Sequence, residues 1–145
     1  NAILARTVAD VVDRGILLVA AAGNDGPRAR PAYPAAYPGV IAVTAVDRGK
    51  RIYRRAARGS HIDIAAPGVN VWTAASVRGQ RPRSGTSFAA PFVTAAAALI
   101  MAENQGFSRR EVEIVLEHEA DDLGDRGRDD VFGWGLLDIR SICRG

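Results

Sequence analysis

Three short apolar runs constrain the fold of this chain more than any other feature. The first, 16-ILLVAAAG-23, is continuous, too short for a helix and bounded by glycine, which fits a strand covered on both faces. The runs 40-VIAVTAV-46 and 62-IDIAAPG-68 have the same character, with loops at their ends and the polar segment 47–60 between them.

Helical signals flank these runs. In 1-NAILARTVADVVDRG-15, Leu4, Val8, Val11 and Val12 recur at helical spacing and Gly15 stands where a helix stops. From Thr86 small apolar residues continue for over a dozen positions without alternation, which predicts a helix buried nearly all round, with Pro91 in or just past its first turn. Ser108 and Glu111 form a capping box ahead of Val112, Val115 and Leu116, and 136–142 are expected to make a last short helix. The stretch 121-DDLGDRGRDD-130 is a loop. Helices alternating with buried strands predict an α/β fold, a three-layer parallel sheet flanked by helices. Three or four strands make a thin slab with an uncovered apolar edge, so the chain is expected to be part of one domain, without an internal boundary.

Composition narrows the function classes. With 145 residues, 48% apolar and 24% charged, the chain has a globular composition, and no run of 18 apolar residues predicts a membrane span. The charge of +3 comes from 18 Arg and one Lys, densest at Arg48–Arg58. Only Tyr53 stands in that segment as a stacking residue, so a solvated basic loop is expected and nucleic acid is not an expected partner. Cys143 is alone and implies no internal disulfide. The loop 121–130 lacks calcium-loop spacing, and no metal or other cofactor is expected from this chain.

Two residues are candidates for chemistry. Ser87, at the mouth of the Ala-rich helix, lies beside unpaired backbone N–H groups and the positive end of the helix dipole, which suits a nucleophile whose attack creates an oxyanion. Gly85-Thr86-Ser87 also reads as an ordinary helix cap. Asn24 ends an apolar strand, where ligands of parallel sheets bind and where a fixed amide could donate to an oxyanion. Gly23-Asn24 reads equally as a turn.

Taken together, 16-ILLVAAAGNDGP-27, 33-YPAAYPGVIAVTAVD-47, 62-IDIAAPGVNV-71 and 85-GTSFAAPFVTAAAALI-100 resemble, in order and spacing, the C-terminal half of the subtilisin-like serine protease family. The likeness runs through the final FGWGLLD segment. It implies an incomplete subtilisin-like domain acting on polypeptide substrates, with Ser87 as nucleophile and Asn24 as the oxyanion-hole side chain. It also places Ala21, Ala22 and Gly23 in one wall of the pocket for the side chain before the cleaved bond, with Gly85 and Thr86 as further substrate-binding positions. The family's Asp and His motifs are expected upstream of Asn1, in a missing N-terminal half that would be this chain's partner. Neither His61, in the loop before 62-IDIAAPG-68, nor His118, among acidic residues of the last capped helix, matches the base. Without base and orienter the isolated chain is expected to be inactive; a pseudoprotease or peptide-binding module is the alternative.

Some family members bind a cation between the YP-rich loop and the loop before the APG strand. His61 stands where they use a carboxylate, although Asp63 is nearby; structural calcium thus belongs, if anywhere, to the complete domain. Phe92 stands where many relatives have a non-catalytic His. Secretion or a cell-envelope location is implied by the resemblance alone.

Overall fold

The computed structural model describes residues 1–74 and 79–140. The element order is α1 (Ala2–Asp13), β1 (Leu18–Ala21), β2 (Val40–Val46), β3 (Ile64–Pro67), β4 (Val71–Ala74), β5 (Gln80–Arg83), α2 (Thr86–Glu103) and α3 (Arg109–Glu119).

Helix α1 begins at Asn1, whose side chain accepts from the N–H groups of Ile3 and Leu4, satisfying two donors that the helix leaves free. It stops at Gly15, whose N–H returns to the Val12 carbonyl at 2.9 Å. The three apolar runs form a parallel sheet in the order β1-β2-β3, with Leu18 beside Val40 and Val43 beside Ile64. All seven residues of β2 are buried, which explains its uninterrupted apolar sequence. Strand β1 corrects the expectation of a strand covered on both faces: every residue in it is only partly buried, since it is the edge strand with a neighbour on one side alone.

The pleat directs Ile41, Val43 and Ala45 of β2 to the face crossed by α2. There Ala89, Val93, Ala96, Ala97 and Ile100 pack on them and on Ile64 and Ala66, and the small side chains let the helix lie close to the sheet. Helix α3, opened by the Ser108–Glu111 capping box, packs Val112 and Leu116 into the same cluster. Helix α2 is not buried nearly all round. Its length and composition would suffice to cross a membrane, but here it is a core helix. One face forms the core, while Phe92 (43% exposed) and Leu99 (44%) lie on the open side. A run of alanines has no polar stripe to reveal which side is covered.

Two further differences have backbone causes. Residues 136–140 are not helical. The N–H and carbonyl of Leu136 pair with Asp121, and Leu137 donates to the Ala65 carbonyl at 2.8 Å, so the segment lies extended beside β3. Residues 141 and 142 lie outside the described residues. The antiparallel β4–β5 hairpin gives no alternating apolar signal, because Gln80–Arg83 is exposed throughout and carries Pro82 opposite Trp72.

Candidate active site

The loop after β1, the segment after β3 and the N-terminus of α2 meet at the carboxyl ends of the strands. The Gly85 N–H donates to the Gly68 carbonyl at 2.8 Å, and the Asn70 N–H to Ser84 Oγ at 2.9 Å, joining the β3 loop to the approach to α2. Across the β1 loop, Thr86 N–H donates to Asn24 Oδ1 at 2.9 Å and Gly23 N–H donates to Thr86 Oγ1 at 3.2 Å. Thr86 is fully buried and its hydroxyl also lies 3.2 Å from Asn24 Oδ1.

These contacts decide the orientation of the amide. A backbone N–H can only donate, so the Asn24 atom facing Thr86 is oxygen, and Nδ2 is left as the outward donor. Beside it, Gly85 has a φ of 154°, a backbone conformation suited to glycine.

Ser87 follows directly, exposed, with neither its Oγ nor its N–H hydrogen-bonded among the described residues. Its N–H belongs to the first turn of α2, where donors have no intrahelical acceptor and the helix dipole favours negative charge. Pro91 supplies no N–H to the Ser87 carbonyl four residues back, a gap in the helix ladder beside the site. The site therefore presents a free hydroxyl and two free donors.

Of the remaining predicted positions, Ala21 ends β1 half-buried, and Ala22 turns its methyl fully into the core. Gly23 is held from both sides, since its carbonyl also accepts from Ala57 N–H at 3.0 Å. Gly85 and Thr86 are both buried, so Thr86 stands behind the donor it holds. Arg55 went unread in the sequence: its Nε donates to the Asn24 carbonyl at 3.2 Å, while its own carbonyl accepts from Gly26 N–H at 2.9 Å. Nothing distinguishes it from the arginines around it until the loops are folded together.

The histidines lie elsewhere. His61 lines a cleft with residues 35–40 and Asp63, at the amino end of β2 and β3. Strand β2, seven residues long, separates that end from the Ser87 end by about 20 Å. Burial holds His61 below its ordinary pKa, and its Nε2 is buried without a hydrogen-bond partner among the described residues. His118 is exposed on α3 beside Glu119.

The oxygens around Asp63 are held by a guanidinium and a backbone amide. Arg128 donates to the Ser60 carbonyl at 2.7 Å, the Ile62 carbonyl at 2.9 Å and Asp63 Oδ1 at 3.1 Å, while Asp63 Oδ2 accepts from Ala42 N–H at 2.8 Å. In the loop 121–130 the carboxylates of Asp122 and Asp129 accept from the loop's own amides.

Against known proteins, the model of the subtilase family, Peptidase_S8, matches residues 3–135. The chain belongs to the subtilase family. It is 34% identical over 144 residues to subtilisin BL of Lederbergia lenta, covering 99% of this chain and 52% of that protein. It is 33% identical over 139 residues to the minor extracellular protease Epr of Bacillus subtilis (strain 168), covering 96% and 22%. Among solved structures, sphericase superposes with a TM-score of 0.87 at 30% identity, covering 97% of this subtilase chain and 53% of sphericase. The chain thus has the subtilisin-like α/β fold over part of the domain, and it spans about half the length of subtilisin BL and sphericase.

Proposed function

We propose that this subtilase chain is the C-terminal half of a serine endopeptidase domain, with Ser87 as nucleophile. The observation that carries this reading is the free Ser87 hydroxyl beside two unengaged donors, its own N–H and Asn24 Nδ2, the latter oriented by Thr86. Ser87 Oγ attacks the scissile carbonyl carbon, and the carbonyl oxygen, now negative, accepts from both donors. The C–N bond then breaks, the amine departs with the proton taken from Ser87, and water hydrolyses the acyl-enzyme. Ala21 and the backbone of Ala22 and Gly23 line one wall for the side chain preceding the cleaved bond.

The base and its orienting carboxylate come from outside residues 1–145, since His61 is at the far end of the sheet and His118 is on the outer face of α3. The open edge of β1 and the coverage of about half of sphericase support a preceding segment that completes the sheet. Likeness to an extracellular protease supports export.

Fluorophosphonate labelling tests the reading. The 145-residue chain alone should label no faster than Ser87→Ala, and a polypeptide that adds the Asp- and His-bearing segment should label rapidly. Rapid labelling of the chain alone would refute the missing base. No labelling with the segment present would leave a peptide-binding pseudoprotease.

A further inference from the structure

Three segments adjoining the candidate site are far more basic than the rest of the chain. Residues 24–30, 47–57 and 80–83 hold nine of the nineteen basic residues and two of the sixteen acidic ones. One of those two acids, Asp47, is engaged by Arg51, and Lys50 pairs with Asp121. Arg28, Arg30, Arg54, Arg55, Arg81 and Arg83 are exposed and have no carboxylate partner among the described residues, leaving Asp25 as the only uncommitted acid of these segments.

The three segments share one end of the molecule. Gly26 N–H bonds to the Arg55 carbonyl and Ala57 N–H to the Gly23 carbonyl, which ties the loop after β2 to the Asn24 loop. Strand β5 runs through Ser84 and Gly85 directly into Ser87, so Arg83 is four residues from the hydroxyl. These arginines thus stand on segments tied to the Asn24 loop or leading into Ser87, and concentrated charge of one sign attracts the opposite charge.

Resting on the peptidase reading, we propose that this site takes acidic polypeptides, with Asp or Glu side chains flanking the scissile bond and engaged by Arg30, Arg54, Arg83 and their neighbours. Carboxylates suit the planar guanidinium fork, which binds them in pairs of hydrogen bonds. Nucleic acid is the less suited polyanion, because stacking a run of bases wants several aromatic faces, and the basic segments offer the half-buried Tyr53 and, opposite Pro82, the exposed Trp72.

The test is a binding comparison that does not depend on catalysis. Fluorescence anisotropy of the Ser87→Ala chain would be measured with a fluorescein-labelled Glu-rich peptide, its Gln and Lys counterparts, and a single-stranded oligonucleotide of matching charge. The Glu peptide should bind about tenfold or more tighter than the Gln peptide at low ionic strength, and the advantage should shrink severalfold at roughly 0.5 M salt. Arg30→Gln, Arg54→Gln and Arg83→Gln combined should abolish it, whereas Arg6→Gln with Arg14→Gln in α1 should not. Equal binding of Glu and Gln peptides, an equal loss in the α1 variant, or tighter binding of the oligonucleotide would overturn the proposal. Failure of Ser87 to label with fluorophosphonate when the Asp- and His-bearing segment is present would overturn the peptidase reading and leave this comparison standing.

Discussion

Thr86 holds Asn24 through its own N–H, which donates to Oδ1 at 2.9 Å, while its hydroxyl takes the N–H of the preceding Gly23 at 3.2 Å. One buried residue at the start of α2 therefore fixes both the position and the rotation of an amide on a loop 62 residues earlier in the chain. Thr86→Val keeps the shape and deletes the hydroxyl, leaving a part-buried N–H without its acceptor at a cost of about 1–3 kcal/mol. The expected result, on a polypeptide that supplies the base, is a fall in kcat of up to about a hundredfold with KM little changed, restored by Thr86→Ser. Unchanged kcat in Thr86→Val would show that the hydroxyl does not position the donor.

Asn24→Ala removes the outward donor itself. On a polypeptide that supplies the base, loss of one such donor is expected to lower kcat by about a hundredfold to a thousandfold, a range measured in subtilisin, a member of the same family. Substrate binding should change little, because the charge being stabilised develops only in the transition state. A rise in KM with unchanged kcat would place Asn24 in ground-state binding instead.

Gly133→Ala should be severely destabilising. A Cβ there would stand 2.2 Å from the Asp63 carbonyl, at a φ of +63°. The conformation alone costs an alanine about 1–2 kcal/mol, and the clash with rigid backbone adds to it. Urea denaturation checks this, and a loss below about 1 kcal/mol would mean that the loop moves aside at little cost.

Ile100→Ala probes the contact between α2 and the sheet. Ile100 is 1% exposed in the cluster that contains Val43, Ile64 and Val112. Removing its side chain is expected to cost about 2–5 kcal/mol. Leu99→Ala, one residue away on the open side, should cost far less in the same denaturation experiment. Equal losses would contradict the burial pattern.

His61 should make stability depend on pH. Desolvation lowers its folded pKa below 6.5, opposed by Asp63 and Asp130 and assisted by Arg128. Above 6.5 both folded and unfolded states are neutral at this position and its full contribution is present. As pH falls through 6.5 the unfolded state binds a proton that the folded state does not, so stability falls until the folded pKa is passed. Asp63, whose carboxyl is raised by burial, acts in the opposite sense, its contribution being lost as pH rises. The difference between the parent chain and His61→Gln isolates the histidine, and superimposable pH profiles for urea midpoints would refute this assignment.

Strands and helices with a strong local signal were legible. Val40–Val46 is a buried strand because seven consecutive apolar residues satisfy two covered faces, and α3 starts where Ser108 and Glu111 cap each other. Legibility failed where the local pattern was silent or ambiguous. The apolar 136-LLDI-139 has helical potential, but its backbone groups are taken by Asp121 and Ala65 from distant parts of the chain. Arg55 and Arg128 looked like surface charges, and only the meeting of loops gave them the Asn24 carbonyl and the oxygens of residues 60–63 as partners.

By itself, then, the sequence determined the alternation of strand and helix, the ordered motifs that mark a subtilase, and Ser87 and Asn24 as candidates. The first follows from periodicity and capping, which act over a few residues, and the motifs and the two candidates were recognised through resemblance to a known family. The tertiary structure decided which way the Asn24 amide faces, that both histidines lie away from Ser87, and that the basic loop after β2 is tied to the Asn24 loop. The physical reason is that hydrogen-bond direction and charge clustering depend on groups brought together from distant parts of the chain, as with Gly23 and Thr86, which are 63 residues apart.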